Sequence, residues 1–162
     1  MRIVSLPDLY AGKIVATLDR QHPRDLFDVR DLLANEGVDA ALRRAFLVYL
    51  ISHDRPMAEV LAVRRKSIKA EFERGFVGMT RQAVELDDLL AAREALVSAI
   101  VGSMPDAHRQ FLLAFERGEP DWSAIGLRAA ADLPAVRWRQ QNLNSLSAEK
   151  RGTKQLEEVL AR

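Results

Sequence analysis

Apolar residues recur at helical spacing along most of this chain, and the breaks between the repeats divide it into elements. Ser5 with Asp8 three residues on forms a capping-box pattern, and Leu9, Ile14, Val15 and Leu18 then predict a helix running to about Arg20. Pro23 suits the first turn of a second helix, where its missing N–H costs little, and Leu26, Val29 and Leu33 give that helix a stripe ended by Gly37. The two helices should form a hairpin. Leu42, Ala45, Phe46, Tyr49 and Leu50 predict a third helix over 39–52, and Pro56 breaks the pattern before a short fourth helix over 57–63.

Further on, Phe72, Phe76 and Val77 before Gly78 read as a short strand or a loop wrapped on the core. Leu86, Leu89, Leu90, Leu96, Val97 and Ile100 predict a long amphipathic helix over 84–100, with Asp87 and Asp88 in its first turns, where carboxylates favour the positive end of the dipole. Gly102 ends it, and Ser103 with Asp106 predicts the cap of a helix over 104–117 whose face is Phe111, Leu112 and Phe115. A turn at Gly118, Pro120 and Asp121 leads to Trp122, expected to bury against the core. Pro134 opens a helix to about Leu146, with Val136, Leu143, Leu146 and Trp138 expected near one side. The tail from Ser147 reads either as a short helix after Gly152 or as a frayed end, and residues 1–5 read as a short strand or extended lead-in. The pattern as a whole predicts a mainly α protein, an irregular bundle of about seven helices in a single domain over 1–162, with at most one or two short strands.

Composition narrows the classes of function more than it selects one. The 24 basic and 23 acidic side chains nearly cancel over 162 residues, so any nucleic-acid site must be local. There is no cysteine, which excludes a disulfide framework and thiolate chemistry, and His22, His53 and His108 lack metal-ligand spacing. No apolar run approaches the roughly 18–20 residues of a membrane span, and the N-terminus lacks a signal-peptide pattern, so a cytoplasmic location without membrane partners is expected.

Candidate chemistry concentrates in the first hairpin. Lys13 precedes the turn by about the distance at which Asp28 follows it, Asp25 shares a face with Asp28, and Arg24 lies four residues before Asp28. A lysine facing a carboxylate pair that carries its own arginine suits a phosphate together with a metal or an acceptor hydroxyl. The same spacing also makes an ordinary ion-paired helix surface. The densest basic cluster, Arg64, Arg65, Lys66 and Lys69 in RRKSIK, has no interleaved aromatic and reads either as a solvated face or as a phosphate contact.

The hairpin residues carry a resemblance. LPDLYAGKIVATLDR followed by HPRDLFDVRDLL resembles the third and fourth motifs of the AbiEii nucleotidyltransferase toxin family of abortive-infection and toxin-antitoxin systems. FVGMT at 76–80, FLLAFERGEPDW at 111–122 and LPAVRWRQQNL at 133–143 are similar to its helical C-terminal half. The resemblance implies that Lys13 contacts nucleotide phosphates and that Asp25 or Asp28 acts at the acceptor; Arg24, by its spacing from Asp28, is the second candidate for binding the nucleotide. Relatives often carry Glu immediately before the lysine, where this chain has Gly12.

The complete enzyme implied by the family uses magnesium and a nucleoside triphosphate, held by a glycine turn and a D-x-D pair on a strand. No such turn and pair is found here, and Asp87–Asp88 sits in a helical pattern with no glycine turn before it. The expectation is therefore a partial copy, the C-terminal lobe of a nucleotidyltransferase, without a metal site of its own and inactive alone. Its implied partners are an N-terminal lobe or an antitoxin, RNA as acceptor, or a second copy in a homodimer. A different reading keeps the scaffold without catalysis, as a helical interaction module.

Overall fold

The computed structural model describes residues 5–162, and the strand expected at the N-terminus falls on residues 1–4, outside them. Among the described residues there are nine α-helices, one π-helical turn and two short 3-10 helices, and no strand. α1 (Leu6–Arg20) and α2 (Pro23–Asn35) form the expected hairpin. The Ser5 hydroxyl accepts from the Asp8 N–H at 3.3 Å, as a capping Ser should. α1 ends where Gln21 turns to a left-handed conformation, φ 54°, and His22 caps α2 by accepting from the Arg24 N–H at 3.3 Å.

α3 (Ala40–Ser52) begins at Asp39, whose Oδ1 accepts from the Leu42 N–H at 2.7 Å, and it lies along α1 over most of that helix. α4 (Met57–Ala62) follows the Pro56 break, and α5 (Lys69–Gly75) follows the basic segment. α6 (Leu86–Val97), α7 (Asp106–Arg117), α8 (Pro134–Ser145) and α9 (Thr153–Leu160) complete the bundle.

The main core joins α1, α3, α4, α7, α8 and α9 around Ile14, Leu50, Ile51, Phe111, Phe115 and Leu156. Each such side chain contributes roughly 1.5–3 kcal/mol of burial. A second, smaller cluster of Leu26, Ile68, Phe72, Phe76 and Leu89 lies between α2, α5 and α6. α2 serves both, turning Leu26 to the small cluster and Val29 and Leu32 to the large one.

Several expectations need correction. Phe72 is in a helix, not a strand, and its ring stacks on Phe76 at 5.5 Å, while Phe76 also meets Phe27 at 5.7 Å. A run of so few apolar residues has no readable period, and the aromatic contacts decide the conformation. Leu9 is 50% exposed, and the buried stripe of α1 runs through Ala11, Ile14, Val15 and Leu18. Trp138 is 59% exposed, because two residues past Val136 carries a side chain about 200° round the helix, away from the core.

Ser103 does not cap α7. It closes a π-helical turn over Ser98–Gly102 by donating its N–H to the Ser98 carbonyl at 2.9 Å, and α7 starts at Asp106 after Pro105. The tail does not fray into solvent: α9 buries Leu156, Val159 and Leu160 against α4 and α7. At the end of α7, Gly118 has φ 90°, a left-handed conformation that favours glycine, and a Cβ there would also push aside the exposed Asn144 side chain, whose Oδ1 would lie 2.6 Å away.

Candidate functional site

The hairpin sets out the site residues along one edge. Lys13 projects from the middle of α1 and its amine forms an ion pair with Asp28 Oδ2 on α2; the two side chains are 36% and 41% exposed. An ion pair this open to water contributes about 0–1 kcal/mol to stability, so the fold does not depend on it. Asp25, one turn before Asp28, is not shared with Lys13. It pairs with Arg20 at 3.2 Å, at the turn of the hairpin. Arg24 forms an ion pair with neither carboxylate and donates toward Met79 Sδ at 3.3 Å, a weak acceptor.

Gly12 has a structural reason that the sequence could not show. A Cβ at that position would lie 3.2 Å from Cε1 of Tyr49 on α3, so the Tyr49 ring occupies the space into which a longer residue before Lys13 would grow. On the solvent side, Leu6 and Leu9 are 56% and 50% exposed and stand three residues apart, seven and four residues before Lys13. Spacings of three, four and seven share one helix face, so an apolar strip leads to the Lys13–Asp28 pair.

The tertiary structure adds residues from a distant segment. A cleft of about 390 Å³ at the hairpin turn is lined by Arg20, His22, Arg24 and Asp25 on one side and by Lys66, Ser67 and Glu71 on the other. What holds the basic segment there is Gln21. It is buried, donates from Nε2 to the Arg64 carbonyl at 2.6 Å, and accepts at Oε1 from the Lys66 N–H at 3.1 Å and Arg93 Nη1 at 3.2 Å. Arg93, itself buried, also donates to the Lys66 carbonyl at 2.9 Å. No periodicity marks Gln21, and its only sequence signal is its place between the end of one helix and His-Pro.

The basic cluster is partly committed. Arg65 makes a two-pronged pair with Glu94 at 3.1 and 2.7 Å, and Lys66 Nζ donates to the Asp19 carbonyl at 2.9 Å. The Arg65 hydrogen bonds hold the Glu94 carboxyl below its ordinary value, against the upward push of burial. Burial also pushes the Asp19 carboxyl up, but Arg55 and then His53 outweigh it and hold it low. Asp87 and Asp88 lie in the first turn of α6, and Asp88 caps it, its Oδ2 accepting from the Glu85 N–H at 3.0 Å. Among the described residues no group of three or more His, Cys, Asp or Glu side chains could hold a metal ion. No helix of the described residues is long and apolar enough to cross a membrane.

The hairpin thus presents a solvent-reachable lysine–aspartate pair, an apolar approach to it, and a cleft at its turn lined by side chains of both charges. A family model described as nucleotidyl transferase AbiEii toxin, type IV toxin-antitoxin system, matches residues 1–142, which include all of these features. No curated protein and no solved structure matches the chain.

Proposed function

Because this chain belongs to the AbiEii nucleotidyl transferase toxin family, we propose that it acts as the helical lobe of a nucleotidyltransferase cleft and supplies the phosphate-side and acceptor-side residues. The observation that carries this reading is the Lys13–Asp28 pair, exposed at the end of the apolar strip made by Leu6 and Leu9. A lysine holds phosphate as a point charge, and an incoming triphosphate oxygen can replace Asp28 at Lys13 Nζ without unfolding anything. Asp28 is then free to accept a hydrogen bond from an acceptor hydroxyl. Arg24 leaves only a sulfur contact when it turns toward the same phosphates, and Arg20 and Lys66 add positive charge at the hairpin turn.

The residues present do not fit the two-ion clamp of in-line transfer. Asp25 is engaged by Arg20 and Asp28 by Lys13, and two carboxylates three apart on one helix do not converge as a D-x-D pair with a third carboxylate does. Magnesium coordination therefore belongs to a metal-bearing lobe, for which the strip of Leu6 and Leu9 is the docking surface. The family is described as part of a type IV toxin-antitoxin system, and an antitoxin is the regulatory partner that description implies.

Calorimetric titration of the purified chain with nucleoside triphosphates and magnesium tests the reading. Weak binding lost in Lys13→Ala is expected, and transfer of radiolabel to RNA or protein is expected only when the metal-bearing lobe is added. Label incorporated by the chain alone and lost in Lys13→Ala would place a metal site within these residues. Absence of any nucleotide binding would favour a non-catalytic interaction module.

A further inference from the structure

A cavity with a mainly apolar wall lies away from the hairpin and is lined by none of Lys13, Arg24, Asp25 or Asp28. It encloses about 450 Å³ between α4, α7, α8 and the segment leading into α9. Pro56, Ala58, Leu143 and Leu146 make its apolar wall, with Trp138 at the side. Trp138 is the large aromatic that α8 leaves exposed. Leu146, Glu149, Lys150, Arg151, Gly152 and Gln155 close the cavity, and they follow the stretch matched by the family model. The site is therefore completed by residues beyond the stretch that the family model matches.

Glu116 lines this cavity from the last turn of α7 and is only 5% exposed. Its Oε1 accepts from the Gly152 N–H at 3.1 Å, whereas its buried Oε2 has no hydrogen-bond partner among the described residues. Carboxylate oxygens held out of water without a donor are rare, and each calls for an explanation. The two guanidinium groups nearby do not supply that donor. Arg139 is turned to the His53 and Arg55 carbonyls at 2.6 and 3.3 Å, and Arg151 to the Leu143 carbonyl at 3.0 Å and the Arg117 carbonyl. Asp54, Glu59 and Glu149 add three carboxylates to the lining, against Arg139, Lys150 and Arg151 as its cations.

We propose that the cavity binds an organic cation, a primary ammonium carried on a short hydrocarbon stem. Its N–H groups satisfy Glu116 Oε2, and its stem packs on the apolar wall beside Trp138, where the indole face also attracts the charge. The cation comes either from a free alkyl diamine or from a lysine side chain of a protein. The proposal does not rest on the nucleotidyltransferase reading, since neither its residues nor its ligand belong to the hairpin.

Calorimetric titration of the full chain with putrescine and with N-acetyl-lysine methylamide, and with n-butanol as the uncharged counterpart, tests it. At least one of the two ammonium compounds should bind saturably and n-butanol should not; which one binds tells the free amine from the lysine side chain. Glu116→Gln keeps the Oε1 acceptor for Gly152 and should weaken binding about tenfold, which corresponds to ~1.4 kcal/mol. Trp138→Ala alters an exposed side chain and leaves the fold intact, so it decides the matter should Glu116→Gln fail to fold; it should weaken binding severalfold. No saturable binding of either ammonium compound up to about 10 mM (a ceiling near 3 kcal/mol) overturns the proposal. So does affinity that is unchanged in both variants, or equal affinity for n-butanol.

Discussion

Gln21 offers the most demanding test of how this structure holds its cleft together. Its side chain makes two hydrogen bonds with the backbone of the basic segment, at Arg64 and Lys66, and accepts a third from the charged Arg93. Neutral hydrogen bonds contribute about 0.5–1.5 kcal/mol each and those to a charged group about 1.5–3 kcal/mol. The sum is an upper bound for Gln21→Ala, because Arg64 and Lys66 are exposed and can be rehydrated, and Arg93 keeps the Lys66 carbonyl and Glu94. A loss of roughly 2–3 kcal/mol is expected, or about 5–10 °C in Tm for a chain of this size.

Gln21→Gly separates the hydrogen bonds from the backbone. It loses the same side chain but relieves the left-handed conformation, so it should be about 1 kcal/mol more stable than Gln21→Ala. Urea unfolding of the three proteins measures both differences, and amide exchange at Lys66 reports whether the segment has loosened. A Gln21→Ala variant within ~0.5 kcal/mol of the original protein, or one more stable than Gln21→Gly, would refute the account.

Other expectations follow from single contacts. Gly12→Ala gains about 0.8–1 kcal/mol of helix propensity and loses a few tenths against the Tyr49 ring, which is partly exposed and can shift; thermal unfolding should show a small net stabilisation. Lys13→Ala should change urea stability by less than ~1 kcal/mol while abolishing nucleotide binding, and equal losses in both would make the pair structural. Asp19 and Glu94 have lowered folded pKa values, so their stabilisation is complete above the ordinary carboxylate values of 3.8 and 4.5 and is lost as pH falls through the folded values. Asp19→Asn should therefore flatten the acid limb of a stability–pH profile, and an unchanged limb would remove Asp19 from the account. The exposed Leu6 and Leu9 predict that the chain associates with a metal-bearing lobe or with itself. A strictly monomeric sedimentation profile at about 100 μM, unchanged when the lobe is added, would count against that surface.

The sequence by itself determined the helices whose ends are marked by local chemistry. Ser5, Asp39 and the prolines at 23 and 134 act within a few residues of themselves, so the starts of α1, α2, α3 and α8 could be read before any coordinates. The opposition of Lys13 to Asp28 was readable for the same reason, since a hairpin of two regular helices fixes which positions lie level. Tertiary structure alone decided what covers each face. Hydrophobic spacing marked Leu9 and Trp138 as apolar positions but could not say that no element packs over them. Nor could it separate Asp25 from Lys13, bring Lys66 to the hairpin turn through a glutamine, or bury Glu116 under the C-terminal segment. Those placements depend on contacts between residues tens of positions apart, and a local period carries no information about which distant surface fills the space beside it.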